Sequence, residues 1–452
     1  MDFRLVAVGA SALALAAAAP LAAQESAATI AVPEIEFTQW TLGNGLSVIA
    51  IPDASTSTVT TSLWYEVGSK HDPQGRAGFA HLFEHILSRK TENMPYNMIN
   101  RLTEDVGGQR NASTGNDRTN YYEVVPSQYL ETMLWTHAER MARPVVDSEV
   151  FERERSVVKE ELRQRVLAPP YGRLVRFVIP ENAYDNVPMR RPGIGSIEEL
   201  DSATLDDARA FHQAYYGPDT ATLIVAGNFE TGNLRALVDK YFAAIPRRAN
   251  PIPLEIAARD APRAVPRSVA ATAPNVPLPV TGTLWQIPGM ADPDMAAIEV
   301  LDAILTMGEN SRFYEALVRS GKAVDVSEIV WTGEEAGLVA QYATANPAAD
   351  LAEVSGVLAA EMDRIRTRPV SEAELSEAKN ELLSLALDER QTARGRAFEL
   401  GEALVSTGDP RAADKRLAAI GAVTAADVQR VAQARFAPQA RVDFTYAEGA
   451  DD

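Results

Sequence analysis

From Thr58 to Val67 apolar and polar residues alternate, the pattern of a half-buried strand. Upstream, Asn44-Gly45 stands between Trp40-Thr41 and Leu46 to Ile49, a hairpin signal, so Phe37 to Val67 reads as strand, turn, strand. The period then changes. Phe79, Leu82, Phe83, Ile86 and Leu87 recur at helical spacing, which predicts a helix from Gly78 to Ser88. Asn97 to Val106 suits a second helix, ended by Gly107-Gly108. Asn111 to Val125 reads as a strand. Tyr129 to Met141 and Asp147 to Leu167 are long helical patterns, the second stopped by Pro169-Pro170. Tyr216-Gly217-Pro218 turns the chain into Ala221 to Gly227, a buried strand, and Leu234 to Ile245 is again helical.

Ile245 to Pro279 is rich in Pro, Arg and Ala and has little periodicity, which places a linker at 250–279. The second half repeats the theme. Strands are expected near Thr281 to Gln286, Val324 to Thr332, Gly337 to Ala345 and Val442 to Tyr446. Helices are expected at Met295 to Thr306, Ser311 to Ser320, Asp350 to Thr367 and Ser371 to Leu400. Strands and helices mix without strict alternation, so the fold class is α+β, with two similar domains at 24–249 and 280–452, each a mainly antiparallel sheet packed with helices. Their similar length and order point to a duplication.

Composition changes this picture at the start of the chain. Residues 1–23 carry Arg4, an apolar run and Ala22-Ala23 before polar Gln24-Glu25-Ser26, the pattern of a signal peptide, which implies export to the periplasm. The competing reading is a short membrane anchor, but Leu5 to Ala23 is Ala-rich and broken by Pro20. The chain has no cysteine, which excludes disulfides, thiol catalysis and Cys-ligated metal. The formal net charge of -19 argues against nucleic acid as a partner; solubility explains it, with a weak bias toward basic or neutral peptides.

The chemistry lies in His81-Leu82-Phe83-Glu84-His85. Histidines four apart on a helix project from one face and can grip one metal ion. Glu84 lies between them and can reach an attacking water without being a ligand, the inverted HxxEH form of a zinc motif. Zinc polarises a scissile carbonyl and brings the pKa of water to about 7. A carboxylate must then take the proton and later hand it to the leaving amine. The competing reading, two core histidines, is weak because three polar side chains on so apolar a helix need a partner. A third ligand is missing, and a carboxylate is the usual choice. Glu152 to Arg165 offers Glu152, Glu154, Glu160 and Glu161. Glu154 and Glu161 share a face, Glu160 points about 100° away, and spacing alone does not choose between the faces. His71, His137 and His212 have no paired ligand spacing and read as structural.

HLFEH, GGQRNASTGNDRTNYYEVVP and ERERSVVKEE resemble the pitrilysin/insulinase family of inverted-motif zinc peptidases, in its processing-peptidase-like branch. LGNGLSVIAIPD, WYEVGSKHDP, YYGPDTATLIVAGNF and SRFYEALVR follow in the family's order, so the resemblance covers nearly all of the chain after residue 23. It implies one zinc ion per chain on His81, His85 and Glu161, Glu84 as general base, and Glu154 as a supporting group behind the ligands. It also implies that an extended peptide adds to a sheet edge near Asn111 and Ala112. The activity implied is endopeptidase cleavage of unfolded peptides.

The family's chamber closes like a clamshell from two halves, and this chain has the length of one half. No histidine follows His212, so it carries one site. The far half contributes an arginine and a nearby tyrosine. Arg319 fits the arginine, but no tyrosine occurs until Tyr342. The resemblance therefore implies a heterodimer with a related chain that lacks the zinc motif, a homodimer being the alternative. The rival reading of the whole is a structural or docking subunit without chemistry. Retention of His81, Glu84, His85 and Glu161 favours the enzyme.

Overall fold

The computed structural model describes residues 30–450 apart from 250, 255 and 257–259, so the signal segment expected at 1–23 lies outside the described residues. Two sheets organise the chain. The first contains β1 (Thr38–Thr41), β2 (Ser47–Pro52), β3 (Thr58–Tyr65), β4 (Gln109–Thr114), β5 (Thr119–Pro126) and β6 (Ala221–Gly227). Their order is β1-β2-β6-β3-β5-β4, antiparallel except for the parallel pair β2–β6. The second contains β7 (Arg267–Ala273), β8 (Val280–Pro288), β9 (Ala323–Trp331), β10 (Ala336–Ala345) and β11 (Val442–Glu448), in the order β7-β11-β8-β10-β9. Here the parallel pair is β7–β11. Strand for strand, β7-β11-β8-β10-β9 repeats β2-β6-β3-β5-β4, so the halves share one topology. Among the described residues no helix is long and apolar enough to cross a membrane.

In the first lobe, α1 (Phe79–Ile86), α2 (Met98–Glu104), α3 (Leu130–Ala142) and α4 (Ser148–Leu162) cover one face of the sheet. Phe79, Leu82, Phe83 and Ile86 of α1 join Leu63, Tyr65, Val225, Met133 and Leu134 in a single core. At roughly 1.5–3 kcal/mol for each large apolar side chain buried, this contact outweighs the weak helix preference of eight residues. α4 starts where Asp147 accepts from the Val150 amide at 2.9 Å. It runs on through a widened turn at Arg163–Leu167 before the prolines.

The opposite face of each sheet is covered by helix from the other half. Helix Ala393–Thr407 lays Ala397 and Leu400 on Ile49, Ile51, Trp64 and Ile224 of the first sheet. Leu174, Ile179, Ala183 and Tyr184 pack on Val280, Leu284 and Phe444 of the second. This exchange explains why every residue of β6 is buried, and why a continuous apolar run was its signature. The fit is close: a Cβ on Gly401 would stand 2.3 Å from the Trp64 ring.

Three expectations need correction. Asn111 to Val125 is two strands joined by a turn at Gly115–Arg118, because the polar stretch folds back and closes with Gly115 N donating to Arg118 O at 2.8 Å. Ser371 to Leu400 is two helices, Glu372–Arg390 and Ala393–Thr407. The break falls at Thr392, which caps the second by accepting from the Gly395 amide at 2.9 Å. The stretch read as linker contains β7, drawn into the sheet by parallel pairing with β11.

The first lobe is also held by a buried ion network. Glu123, with no exposed surface, meets His137 Nε2 at 2.7 Å and Arg140 at 2.9 Å, which ties α3 to β5. Burial alone would raise the Glu123 pKa; Arg140 and His137 outweigh it and hold the carboxyl well below the usual range. Burial pushes the His137 imidazolium below its ordinary value, against the pull of Glu123. Both shifts have the same consequence. The unfolded chain takes up protons that the folded chain does not, so stability present at neutral pH is lost as pH falls through the ordinary His and Glu ranges. Glu123→Gln is expected to lower stability at pH 7 by about 3–5 kcal/mol, because it leaves Arg140 buried and unpaired. The variant should also lose stability less steeply below the ordinary Glu range, as read by urea unfolding from pH 5 to pH 2. An unchanged acid limb would remove Glu123 from the account.

Candidate metal centre and active site

The rotation of α1 is set by its apolar side, which leaves His81, Glu84 and His85 on the remaining face, half-buried. One ligand atom from each lies within 4.8 Å of the others. The two rings stand edge to face with centroids 4.9 Å apart. α4 crosses opposite and brings the carboxylate that spacing alone left open. Glu161 Oε2 stands 3.2 Å from His85 Nε2 and 3.8 Å from His81 Nε2. Glu160 instead faces solvent, paired with Arg163 at 3.3 Å. Glu154, two turns before Glu161, has no exposed surface. It lies 3.6 Å from His85 Nδ1, accepts from Arg89 Nε at 2.9 Å, and accepts from the Tyr96 hydroxyl.

Of the three carboxylates near the histidines, Glu84 and Glu161 are distinguished by their other contacts. Glu84 Oε2 accepts a 2.7 Å hydrogen bond from the Thr114 hydroxyl on β4. Glu161 Oε1 is held by Arg165, one turn on, at 2.7 Å, which leaves Oε2 facing both imidazoles. Glu161 fits a third metal donor, and Glu84 fits a base beside it.

The charges point the same way. Burial, and then the nearby His85, keep the His81 imidazolium down at about 4. Burial would lower His85 too, but Glu154 and Glu161 outweigh it and raise it to about 9. The hydrogen bond from His85 draws Glu161 down to about 2, and burial pushes Glu84 up. By themselves the protein groups set three carboxyls against two imidazoles. A divalent cation between the two Nε2 atoms and Glu161 would resolve that imbalance, and two imidazoles with one carboxylate match the donor set of zinc. Glu154 stands where a supporting carboxylate would accept from the outer nitrogen of His85.

The other sequence-predicted residues lie elsewhere. Asn111 and Ala112 are on β4, paired with Tyr122 and Tyr121 of β5. Among the described residues β4 has no strand on its other side, so its edge is open. Asn111 is exposed and its Oδ1 accepts from the Ala112 amide at 2.9 Å. Arg319 is in the second lobe, ion-paired with Glu315 at 2.8 Å, and makes no contact with the cluster among the described residues. His71 and His137 are tied to Leu254 O at 3.0 Å and to Glu123, and His212 stacks on Tyr216. Sequence reasoning missed Thr114, Tyr96 and Arg89, whose contacts cross long loops and leave no spacing signal. Arg165 was missed as well, although its place four residues after Glu161 is a helical pairing signal.

Residues 47–195 match the family model "Insulinase (Peptidase family M16)", and residues 202–382 match "Peptidase M16 inactive domain". The first match holds the histidine motif and the Glu154–Glu161 pair. The zinc protease PqqE of Helicobacter pylori is 29% identical over 282 residues, 62% of this chain and 63% of that protein, so the match spans less than two thirds of that relative. The crystal structure of a protease from Helicobacter pylori is similar with a TM-score of 0.86 at 23% identity, covering 91% of this chain and all of that one. The periplasmic protease PqqL from Escherichia coli is similar with a TM-score of 0.75 at 18% identity, covering 93% of this chain and 48% of that one, so this chain spans about half of it.

Proposed function

Because the chain belongs to the insulinase family of peptidases, peptidase family M16, we propose that it is an exported zinc endopeptidase that hydrolyses unfolded peptides. The observation that carries the reading is the convergence of His81, His85 and Glu161 on one point, with Glu84 beside them on a separate hydrogen bond. His81, His85 and Glu161 would hold the ion, and Glu154 would orient His85. Bound zinc would supply Lewis acidity to the scissile carbonyl and to the attacking water.

The remaining work falls to the chain's own side chains. Glu84 takes a proton from the water as its oxygen adds to the carbonyl carbon. The same proton then passes to the amide nitrogen as the C–N bond breaks, and a carboxylic acid and an amine result, the acid giving up its remaining water proton to leave a carboxylate and an ammonium. Burial raises the affinity of Glu84 for that proton, which suits a shuttle. The open edge of β4, at Asn111 and Ala112, would take the peptide as an added strand, so the backbone must be free to pair and folded proteins are excluded.

Periplasmic location is supported by the signal pattern at 1–23 and by the periplasmic origin of PqqL. We also assign the active species to a dimer, with a related chain lacking the zinc motif as partner. The length ratio to PqqL supports it, and so does Arg319, which pairs with Glu315 and makes no contact with this chain's own cluster among the described residues. Arg319 would then face the partner's half of the chamber.

His81→Ala is expected to lose nearly all zinc by elemental analysis. Glu84→Gln should keep it while turnover of an unfolded peptide falls by roughly 10²–10⁴-fold or more. Full zinc in the first variant, or wild-type turnover in the second, would sink the assignment. Light scattering and turnover on one pure sample test the dimer. The isolated chain should work slowly and gain activity when the partner is added. A fully active monomer that no added chain stimulates would contradict the pairing.

A further inference from the structure

The turn Ser69–Asp72 touches three parts of the molecule. Asp72 accepts from the Gly78 and Ala80 amides at 2.7 and 2.8 Å and so seats the start of α1. The amides of Ser69 and Lys70 donate to the carbonyls of Gly115 and Asn116 at 3.0 and 3.1 Å, and the Ser69 hydroxyl lies 3.0 Å from Asn116 Oδ1. These bonds seat the β4–β5 turn. The approach is so close that a Cβ on Gly68 would stand 2.3 Å from Gly115 O.

The third contact reaches the other lobe. Lys70 is 3% exposed, and its Nζ lies 2.7 Å from both Asp117 Oδ1, in the β4–β5 turn, and Glu334 Oε2, in the turn between β9 and β10. Asp117 Oδ2 accepts from the Glu334 amide at 3.1 Å. Arg118, beside it, pairs with Glu402 on helix Ala393–Thr407. An ammonium buried this deeply persists only when paired, so the three groups stand or fall together. Asp117 is three residues from Thr114, whose hydroxyl holds Glu84. A shift of the turn therefore reaches Thr114 within a few bonds.

We propose that Lys70 is a positioning residue for the hydrolysis. By clamping the β4–β5 turn to the second lobe through Asp117 and Glu334, it keeps Thr114 against Glu84 and the peptide-binding edge against α1. The chemical part of this inference rests on the endopeptidase reading; the clamp is a property of the fold and is measured separately. It gives the second lobe, which carries no metal-type cluster among its described residues, a defined task at the site of the first.

The test uses Lys70→Met, Glu334→Gln and Thr114→Val in the full chain. Glu334 is half exposed, so its variant remains available should Lys70→Met fail to fold. Hydrogen exchange read by mass spectrometry is the first measurement. Amides 113–120 should exchange about tenfold faster or more in Lys70→Met, and faster to a smaller degree in Glu334→Gln, with zinc content unchanged. Turnover of an unfolded peptide is the second. Thr114→Val should lower kcat by roughly 10- to 100-fold at unchanged KM, with Thr114→Ser restoring most of it. Lys70→Met should lower kcat and raise KM, and should add little to Thr114→Val in the double variant. Hairpin exchange equal to wild type in the clamp variants overturns the proposal, and so does wild-type kcat in Thr114→Val. A wild-type chain that cuts no peptide either alone or with the partner added refutes the endopeptidase reading instead, and exchange alone then decides the clamp.

Discussion

Phe79, Leu82, Phe83 and Ile86 have no exposed surface, and this leaves α1 a single rotational setting. That setting aims His81, Glu84 and His85 at α4, where Glu154 and Glu161 return the approach two turns apart. A helix of eight residues has little stability of its own. Its position comes from the sheet beneath it, and the sheet in turn is covered on its far face by a helix from the other half. Side chains that meet within 4 Å at the site are thus fixed by packing that spans both lobes.

Charge is the second constraint. Three carboxyls and two imidazoles share a partly enclosed face, and burial penalises each ionised group. Tyr96 and Arg165 hold the outer oxygens of Glu154 and Glu161, so those acids keep their orientation whatever the protonation of the histidines. Thr114 does the same for Glu84 from the opposite side. Each acid has one protein contact that a competing role would break, and this separates the ligand-like carboxylate from the base-like one.

Much of this was legible in the sequence where periodicity is local. The helix at Met295–Thr306 and the buried run Ala221–Gly227 stand where the pattern put them, because each follows from one apolar face or two. The α+β class and the repeated architecture followed from the order of such elements. The hairpin β4–β5 went unread although Gly115-Asn116-Asp117 is a turn signal, because β4 before it is nearly as polar and blurred the boundary. The helices between Leu174 and Tyr215 escaped notice because part of that stretch packs on the second sheet, which no local pattern announces. β7 was hidden because its partner, β11, lies some 175 residues away. At the site, the two histidines declared themselves by spacing. Choosing Glu161 over Glu160 needed the resemblance, since either face of α4 was compatible with the charge pattern. Lys70 and Thr114 gave no signal, because their partners are separated from them by 30 residues or more along the chain.

The proposed chemistry turns on one zinc ion that would be held by the imidazoles of His81 and His85 and the carboxylate of Glu161, with Glu84 left free to move a proton. Anomalous diffraction at the zinc edge from crystals of the purified chain tests it directly. The expected result is one peak per chain within bonding distance of both Nε2 atoms and of Glu161, with Glu84 outside the coordination shell and still held by Thr114. A peak ligated by Glu84 with Glu161 turned away, or crystals grown with zinc that show no peak at this position, would contradict it.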